Sequence, residues 1–551
     1  MRRSTFVKIS ALFLLTSLLL SSCSTGGGKE NGGEQTTEVT PAYAIQSWIT
    51  PSVDKQIANA DIPEEKDRAT SIELLMVKNE SESVQLSFYS NDRVDGFTVS
   101  AEGDTDGIEI QYFLEETVTV KGERWPDALV PLDGEFFLPR RLTRTVMVRF
   151  VTESTTAAGE RRITLSLKNG GKVVSSFDVT LTVYDITLDE TPAMESFVLI
   201  YKNAIAQHHG YGKDLDKLSA TQKEEVDALY KKYYDLLLDY GISGGTLPYD
   251  ILDDRADAYM SDPRVTSFQV DQWVSDETLV AIYNKLKTNP EWLKKAVIYA
   301  MDEPNTPEHY SDLVGRIERL DRVCPGISRL VTFYNDIWLD GGIDAVQYVM
   351  NNTDITVPSF ACFNPGFLYK DQTLANTQRP LKDRIAEYKA NGDNRCWSYV
   401  GWEPGKPYNN LYVNEKGIDH RVLYWQMFDH GVDGFLYWAA NYWIDTGDPW
   451  VNQLTVPWLS MNVYGDGSLL YNGNKVGIDG ACASLRLDLI RDGMEDYALL
   501  ERAMELLGEK KTNSIIDKVT QGVITSTGSS EVFYKARASL IKELDKALNG
   551  K

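Results

Sequence analysis

Hydrophobic positions change their period near residue 190. Between 41 and 189 the apolar residues recur in short alternating runs: Leu74-Leu75-Met76-Val77, Val84-Gln85-Leu86-Ser87-Phe88-Tyr89 and Ile108-Glu109-Ile110-Gln111-Tyr112. Alternation over a few residues is the period of a half-buried strand. A hairpin is predicted where Ile163, Leu165 and Leu167 alternate, Asn169-Gly170-Gly171 intervenes, and a second alternating run follows from 173 to 184. No long helical period interrupts this region, which predicts a β-sandwich over 41–189.

After Thr191-Pro192 strand and helix patterns alternate. Eight apolar runs read as strands, at 197–201, 241–247, 264–270, 296–300, 328–333, 355–358, 395–399 and 434–438. The clearest helix between them would open with a capping box of Thr221 and Glu224. It would carry Val226, Leu229, Tyr230, Tyr233, Leu237 and Tyr240 on one stripe. Eight such units predict a (β/α)8 TIM barrel over 190–480. A C-terminal helical segment over 481–551 finishes the chain. It ends in an amphipathic helix with Phe533, Leu540, Ile541, Leu544 and Leu548 near helical spacing. The predicted fold class is multidomain, β then α/β.

Hydrophobic residues make up 42% of the 551, and Tyr (29) and Trp (12) are plentiful, so the composition is globular. The formal net charge of −24 excludes nucleic acid as a partner of choice. It leaves a neutral ligand such as a sugar untouched. Arg2, Arg3 and Lys8 precede an apolar stretch at 9–20, too short to span a bilayer and ordered like an export signal. Leu20-Ser21-Ser22-Cys23 resembles a bacterial lipobox, which implies a signal peptide over 1–22 and a lipid on Cys23. Residues 23–40, rich in Gly, Ser, Thr and Glu, read as a flexible tether. The expected location is extracytoplasmic, anchored to a membrane through the lipid at Cys23.

The remaining cysteines, Cys324, Cys362, Cys396 and Cys482, fit neither a zinc spacing nor a disulfide framework. Cys362 and Cys396 fall in apolar runs and are expected to pack as small hydrophobes. His208-His209 has no nearby cysteine partner, and no metal or cofactor is called for.

Candidate chemistry sits at the end of the fourth barrel strand. There Ala296-Val297-Ile298-Tyr299-Ala300-Met301 runs into Asp302-Glu303-Pro304. Acids at the C-terminal end of a buried parallel strand lie where such barrels keep catalytic groups. Between 396 and 450 aromatic residues crowd together, with Trp397 and Tyr399 near the end of strand seven. Tyr437, Trp438 and Asn441 follow near the end of strand eight. Aromatic faces stack on the apolar faces of sugar rings while polar groups at the rim take the hydroxyls. Neighbours in an extended strand point to opposite faces, so adjacent acids make an awkward pair for flanking one anomeric carbon. They suit substrate assistance: Glu303 protonates the leaving oxygen, and Asp302 orients the substrate's own 2-acetamido group. Charge repulsion from Asp302 would keep Glu303 protonated.

The Tyr299-x-x-Asp302-Glu303-Pro304 motif resembles the catalytic motif of glycoside hydrolase family 123, the β-N-acetylgalactosaminidases. The likeness extends to Trp397-x-Tyr399, Asn410, Arg421 and Trp425. It continues in Asp433-Gly434-Phe435-Leu436-Tyr437-Trp438 with Asn441-Tyr442-Trp443, in Gly465-Asp466-Gly467, and in Arg491-Asp492-Gly493-Met494-Glu495-Asp496-Tyr497. It covers roughly 192–507. The resemblance implies a retaining glycosidase acting on β-linked N-acetylgalactosamine, with Asp302 steering the acetamido group and Glu303 as acid/base. Tyr299, Trp397, Tyr399, Tyr437, Trp438 and Asn441 are the expected substrate-binding residues. Arg491, Asp492 and Glu495 are expected to form structural ion pairs. One departure is Gly401-Trp402-Glu403-Pro404, because Glu403 could serve as the nucleophile of a conventional retaining pair with Glu303. Two non-enzymatic readings, a glycan-binding surface lipoprotein and a structural tether or adhesin, fit the acidic surface. The first conflicts with the intact acid pair, and the second leaves the aromatic cluster unexplained.

Overall fold

The structure, a computed structural model, describes residues 44–550 except 335–337, 340–342, 370–374, 377, 445–446 and 455–462. The signal segment, the tether and Cys23 lie outside the described residues.

Two sheets form the N-terminal part, one of seven strands and one of five. Leu86 and Val148 of the larger sheet meet Leu165 and Val179 of the smaller in one core. The expected hairpin joins Gly159–Asn169 to Lys172–Thr187. Its turn residues Gly170 and Gly171 have φ of +55° and +81°, the positive values that a tight primed turn requires and that glycine adopts without strain. The larger sheet contains two strands that the sequence pattern did not reveal. Ala481–Ser484 pairs antiparallel with Glu123–Pro131, and Leu470–Asn472 pairs with Ala481–Ser484 in turn. The chain therefore returns from the second part to extend the first.

The second part is a nearly closed parallel barrel of seven strands: Glu195–Val198, Phe268–Gln269, Ala296–Met301, Ser328–Phe333, Ile355–Pro358, Arg395–Tyr399 and Gly434–Tyr437. The segment expected to be a strand at 241–247 makes one parallel bridge, between Val198 and Gly244. Gly245 then donates its N–H to the Val198 carbonyl (2.7 Å) and accepts from Gln269 N–H (2.6 Å). Side chains replace the missing ladder below that bridge. Thr266 Oγ1 accepts from Ser196 N–H (2.9 Å), Ser196 Oγ from Ser243 N–H (2.8 Å), and Ser243 Oγ from Thr266 N–H (2.8 Å). All three residues are buried, so hydroxyls compete there with strand pairing and win. This also shortens the strand expected at 264–270 to two residues.

The helix Ala220–Asp239 starts two residues ahead of the predicted box. Ser219 is its N-cap and Gln222 completes the capping box. Val226, Leu229, Tyr230, Tyr233 and Leu237 are buried as predicted, and Tyr240 is the C-cap. Buried ions join the two parts. The fully buried Arg421 reaches Glu82 (2.5 Å), Asp496 (2.8 Å) and Asp492 (3.4 Å). Arg537, from the C-terminal helix Ser530–Asn549, pairs with Glu80, Glu82 and Asp496. Arg491 pairs with Asp488 and Asp492, with Glu495 at 3.9 Å. The Arg-Asp-Gly motif thus serves the junction between sandwich, barrel and C-terminal helices.

Candidate active site

Phe197, Val297, Leu330, Val357, Trp397 and Leu436 fill the barrel interior. Tyr299 and Tyr399 pack on top of that layer, toward the C-terminal ends of their strands. The strand carrying Tyr299 has a register shift: Tyr299 pairs with Leu330, and Met301 with Val331. Such a bulge re-aims the residues that follow it. Asp302 leaves the strand, and Glu303 adopts φ +41°. Among the described residues it is the only non-glycine with positive φ outside the sandwich. A left-handed non-glycine costs on the order of 1–3 kcal/mol and persists only where its surroundings hold it.

This backbone corrects the expectation that the two acids face apart. Both line one cavity of about 300 Å³, together with Tyr299, Thr332, Tyr399 and Glu403. Thr332, 2% exposed, is the hub beneath them. Its Oγ1 donates to Asp302 Oδ1 (2.9 Å), accepts from Glu303 N–H (3.0 Å) and lies 3.0 Å from Tyr299 Oη. Tyr299 O–H also donates to Asp302 Oδ1 (2.7 Å). Asp302 is thereby fixed in its rotamer, and Glu303 is fixed in its backbone.

Glu303 accepts a hydrogen bond from Tyr399 O–H. Burial raises the pKa of Glu303 above the ordinary carboxyl value. The Tyr399 bond opposes that rise, while the charges of Asp302 and Glu403 reinforce it. Burial is also the main reason that the Tyr299 and Tyr399 hydroxyls are held well above their usual pKa, with the neighbouring carboxylates adding to it. Both tyrosines thus keep their hydroxyl hydrogens and serve as hydrogen-bond donors to the two acids.

Trp402 and Trp438 form the apolar wall. The loop bearing Trp402 and Glu403 is tied down from beneath. Asn410 Nδ2 donates to the carbonyls of Gly401 (2.8 Å) and Pro404 (2.9 Å), and Tyr412 O–H to those of Gly401 (2.9 Å) and Trp402 (2.8 Å). Trp438 Nε1 donates to Asp466 Oδ1 (3.0 Å). A Cβ on Gly467, at φ +66°, would come within 2.2 Å of the Trp438 ring.

Three of the expected binding residues do not line the cavity. Trp397 is fully buried one layer below Tyr399 and donates from Nε1 to Glu195 (2.7 Å). Its ring occupies the space left by Gly434, where a Cβ would lie 2.2 Å away. Tyr437 is buried on the opposite side of its strand from Leu436 and bonds Asp466 (3.1 Å). Asn441 has its amide committed to the backbone of Tyr201, accepting from its N–H (2.8 Å) and donating to its carbonyl (3.1 Å). Tyr299, Tyr399 and Trp438 do line the cavity. Sequence reasoning overlooked Thr332 and Trp402. Trp402 stands in the segment flagged as a departure, and Thr332 carried no signal beyond lying at a strand end.

His208 contacts the Trp443 carbonyl (3.1 Å) and His209 the Tyr233 hydroxyl (3.0 Å), so both have packing roles. Cys324, Cys362, Cys396 and Cys482 are all buried. A larger cavity of about 880 Å³ lies at the junction of sandwich and barrel, against Ser81, Arg491 and Glu495. Its carboxylates, among them Asp189, Glu190, Asp239 and Glu501, lie at that junction, away from the Asp302–Glu303 pair.

The family model described as "Glycoside hydrolase 123, catalytic domain" matches residues 277–503. None of the curated proteins matches the sequence. The fold is similar to that of a family 123 glycoside hydrolase from Clostridium perfringens, at 12% identity and a TM-score of 0.63, over 92% of this chain and 98% of that one. Two other glycosidase structures match less well. A family 39 enzyme from Bacteroides cellulosilyticus WH2 aligns with 12% identity over 76% of this chain and 81% of that one (TM-score 0.30). A family 5 xyloglucanase from Bacteroides ovatus aligns with 10% identity over 77% and 98% (TM-score 0.25).

Proposed function

We propose that this chain, whose residues 277–503 match the catalytic-domain model of glycoside hydrolase family 123, is a glycosidase that cleaves a β-linked N-acetylhexosaminide by substrate assistance with retention. N-acetylgalactosamine is the favoured sugar. The observation that carries this reading is the adjacent pair itself, with Asp302 locked by Tyr299 and Thr332 beside a Glu303 whose pKa burial raises. The hydrogen bonds from Tyr299 and Thr332 to Asp302 both end on Oδ1, and Oδ2 would accept the acetamido N–H. The acetamido carbonyl oxygen then attacks the anomeric carbon as Glu303 protonates the departing glycosidic oxygen. This gives a cyclic oxazolinium whose positive charge faces Asp302. Water, deprotonated by Glu303, opens the ring and restores the acid.

Glu303→Gln and Asp302→Asn are each expected to lower kcat on an aryl N-acetyl-β-galactosaminide at least a hundredfold. Near wild-type turnover in both would refute the assignment. Glu403 lines the same cavity and supports a second reading, a conventional pair of Glu303 as acid/base and Glu403 as nucleophile. In that case Glu403→Gln alone would abolish turnover.

The seven strands and the Gly244 bridge fit a (β/α)8 barrel with one strand reduced to its bridge. A glycan or glycoconjugate outside the cytoplasm is the partner that suits a lipid anchor at Cys23. Cys23→Ser should release the protein from the membrane fraction, and unchanged detergent partition would refute the anchor. The Clostridium perfringens relative is described for glycolipid glycan hydrolysis, and a substrate of that kind would meet an anchored enzyme at a membrane.

A further inference from the structure

Trp273 is 72% exposed and is the only aromatic among the large exposed hydrophobic residues described. It follows the strand Phe268–Gln269, on the same end of the barrel as Asp302. The residues around it are held firmly. Gln272, 5% exposed, donates from Nε2 to the carbonyls of Tyr299 (2.6 Å) and Ala300 (3.0 Å). Arg319 clamps the carbonyls of Gln272 (2.8 Å) and Val274 (3.1 Å) and the Asp276 carboxylate (2.8 Å). Trp273 N–H donates to Asp271 Oδ1 (2.9 Å).

One face of the indole is covered. The Arg316 guanidinium lies 4.8 Å from the ring centroid and is itself fixed to the Ala300 carbonyl (2.9 Å) and to Asp312 (2.5 Å). The exposure leaves the other face to solvent. Through Arg316 the indole stands roughly 9 Å or less from the Ala300 carbonyl, two residues ahead of Asp302. A flat aromatic surface, held rigid on one side and open on the other, loses little conformational freedom when a ring stacks on it.

We infer that Trp273 is a second sugar-binding position outside the cavity. It takes a neutral pyranose ring of an oligosaccharide whose reacting residue sits at Asp302 and Glu303. This rests on the glycosidase reading above and extends it: the natural substrate is a chain of several sugars that crosses the rim between strands Phe268–Gln269 and Ala296–Met301.

The test compares wild type, Trp273→Ala and Trp273→Phe on two substrates. One is an aryl N-acetyl-β-galactosaminide, the other a neutral β-linked tetrasaccharide ending in the same sugar. Trp273→Ala should raise KM for the tetrasaccharide roughly five- to tenfold at constant kcat, the size of one lost aromatic stacking contact. It should leave the aryl substrate unaffected, and Trp273→Phe should recover most of the loss. Equal kinetics of all three proteins on the tetrasaccharide would overturn the platform while leaving the glycosidase reading intact. Wild-type inactivity on both substrates would overturn that reading instead. Calorimetric titration of the tetrasaccharide into Glu303→Gln, and into the same variant carrying Trp273→Ala, then decides the platform without turnover. A five- to tenfold weaker affinity supports it, and equal affinity refutes it.

Discussion

Replacing Thr332 by Val keeps the shape of a buried side chain and removes one hydroxyl. That hydroxyl makes three contacts: Asp302 Oδ1 at 2.9 Å, Glu303 N–H at 3.0 Å and Tyr299 Oη at 3.0 Å. A hydrogen bond to a charged group contributes about 1.5–3 kcal/mol, and a buried N–H left without a partner costs about 1–3 kcal/mol. Tyr299 still reaches Asp302, so the carboxylate is loosened and not freed. The left-handed backbone at Glu303 loses the bond that holds it. The expected result is a stability loss of about 3 kcal/mol by denaturant unfolding. A fall in kcat of roughly a hundredfold should accompany it, because a misplacement of about 1 Å in a positioned group has that effect. KM on an aryl N-acetyl-β-galactosaminide should change little, which marks an interaction made mainly in the transition state. Thr332→Ser keeps the hydroxyl and should stay within a few-fold of wild type. A folded Thr332→Val protein with kcat within twofold of wild type would refute the positioning role.

Three further outcomes follow from buried charge. Glu403→Gln removes a negative charge that helps to raise Glu303, so the alkaline limb of the kcat/KM profile should move to lower pH; an unmoved limb would disconnect the two groups. Asp466 is buried and pushed up to about 6 from 3.8 by desolvation. Its contribution to stability is present in full below the unfolded value and is lost as pH rises through about 6. Asp466→Asn should therefore gain about 2 kcal/mol relative to wild type between pH 4 and pH 7, read from urea unfolding; a flat difference would contradict the burial argument. Arg421→Met removes the cation that Glu82, Asp492 and Asp496 share and leaves them only Arg537 and Arg491. It should cost about 3–5 kcal/mol in thermal or denaturant unfolding; a cost below 1 kcal/mol would show that the network carries little.

The barrel was legible where strands are apolar on both faces. The expected 328–333, 355–358 and 395–399 coincide with the observed strands, and 296–300 falls one residue short. It was illegible at 241–247 and 264–270, where the hydroxyls of Ser196, Ser243 and Thr266 take backbone hydrogen bonds that a propensity pattern assigns to a ladder. The acid pair was visible as an apolar run stopped by two carboxylates. What turned both acids into one cavity, a bulge and a positive φ, leaves no mark in side-chain periodicity. The aromatic residues were located by density, which cannot tell layers apart. Trp397 and Tyr399 share the inward face of one strand, yet only Tyr399 is high enough to meet the cavity. Tyr437 and Leu436 alternate, and Leu436 took the inward side.

The most direct test of substrate assistance is a comparison of kcat/KM on paired aryl β-galactosides and β-glucosides, with and without the 2-acetamido group, using residues 24–551. Cleavage confined to the acetamido sugars is the predicted result, because without that group no nucleophile stands beside Asp302. Equal cleavage of the plain glycosides would contradict the account and transfer the nucleophilic role to Glu403.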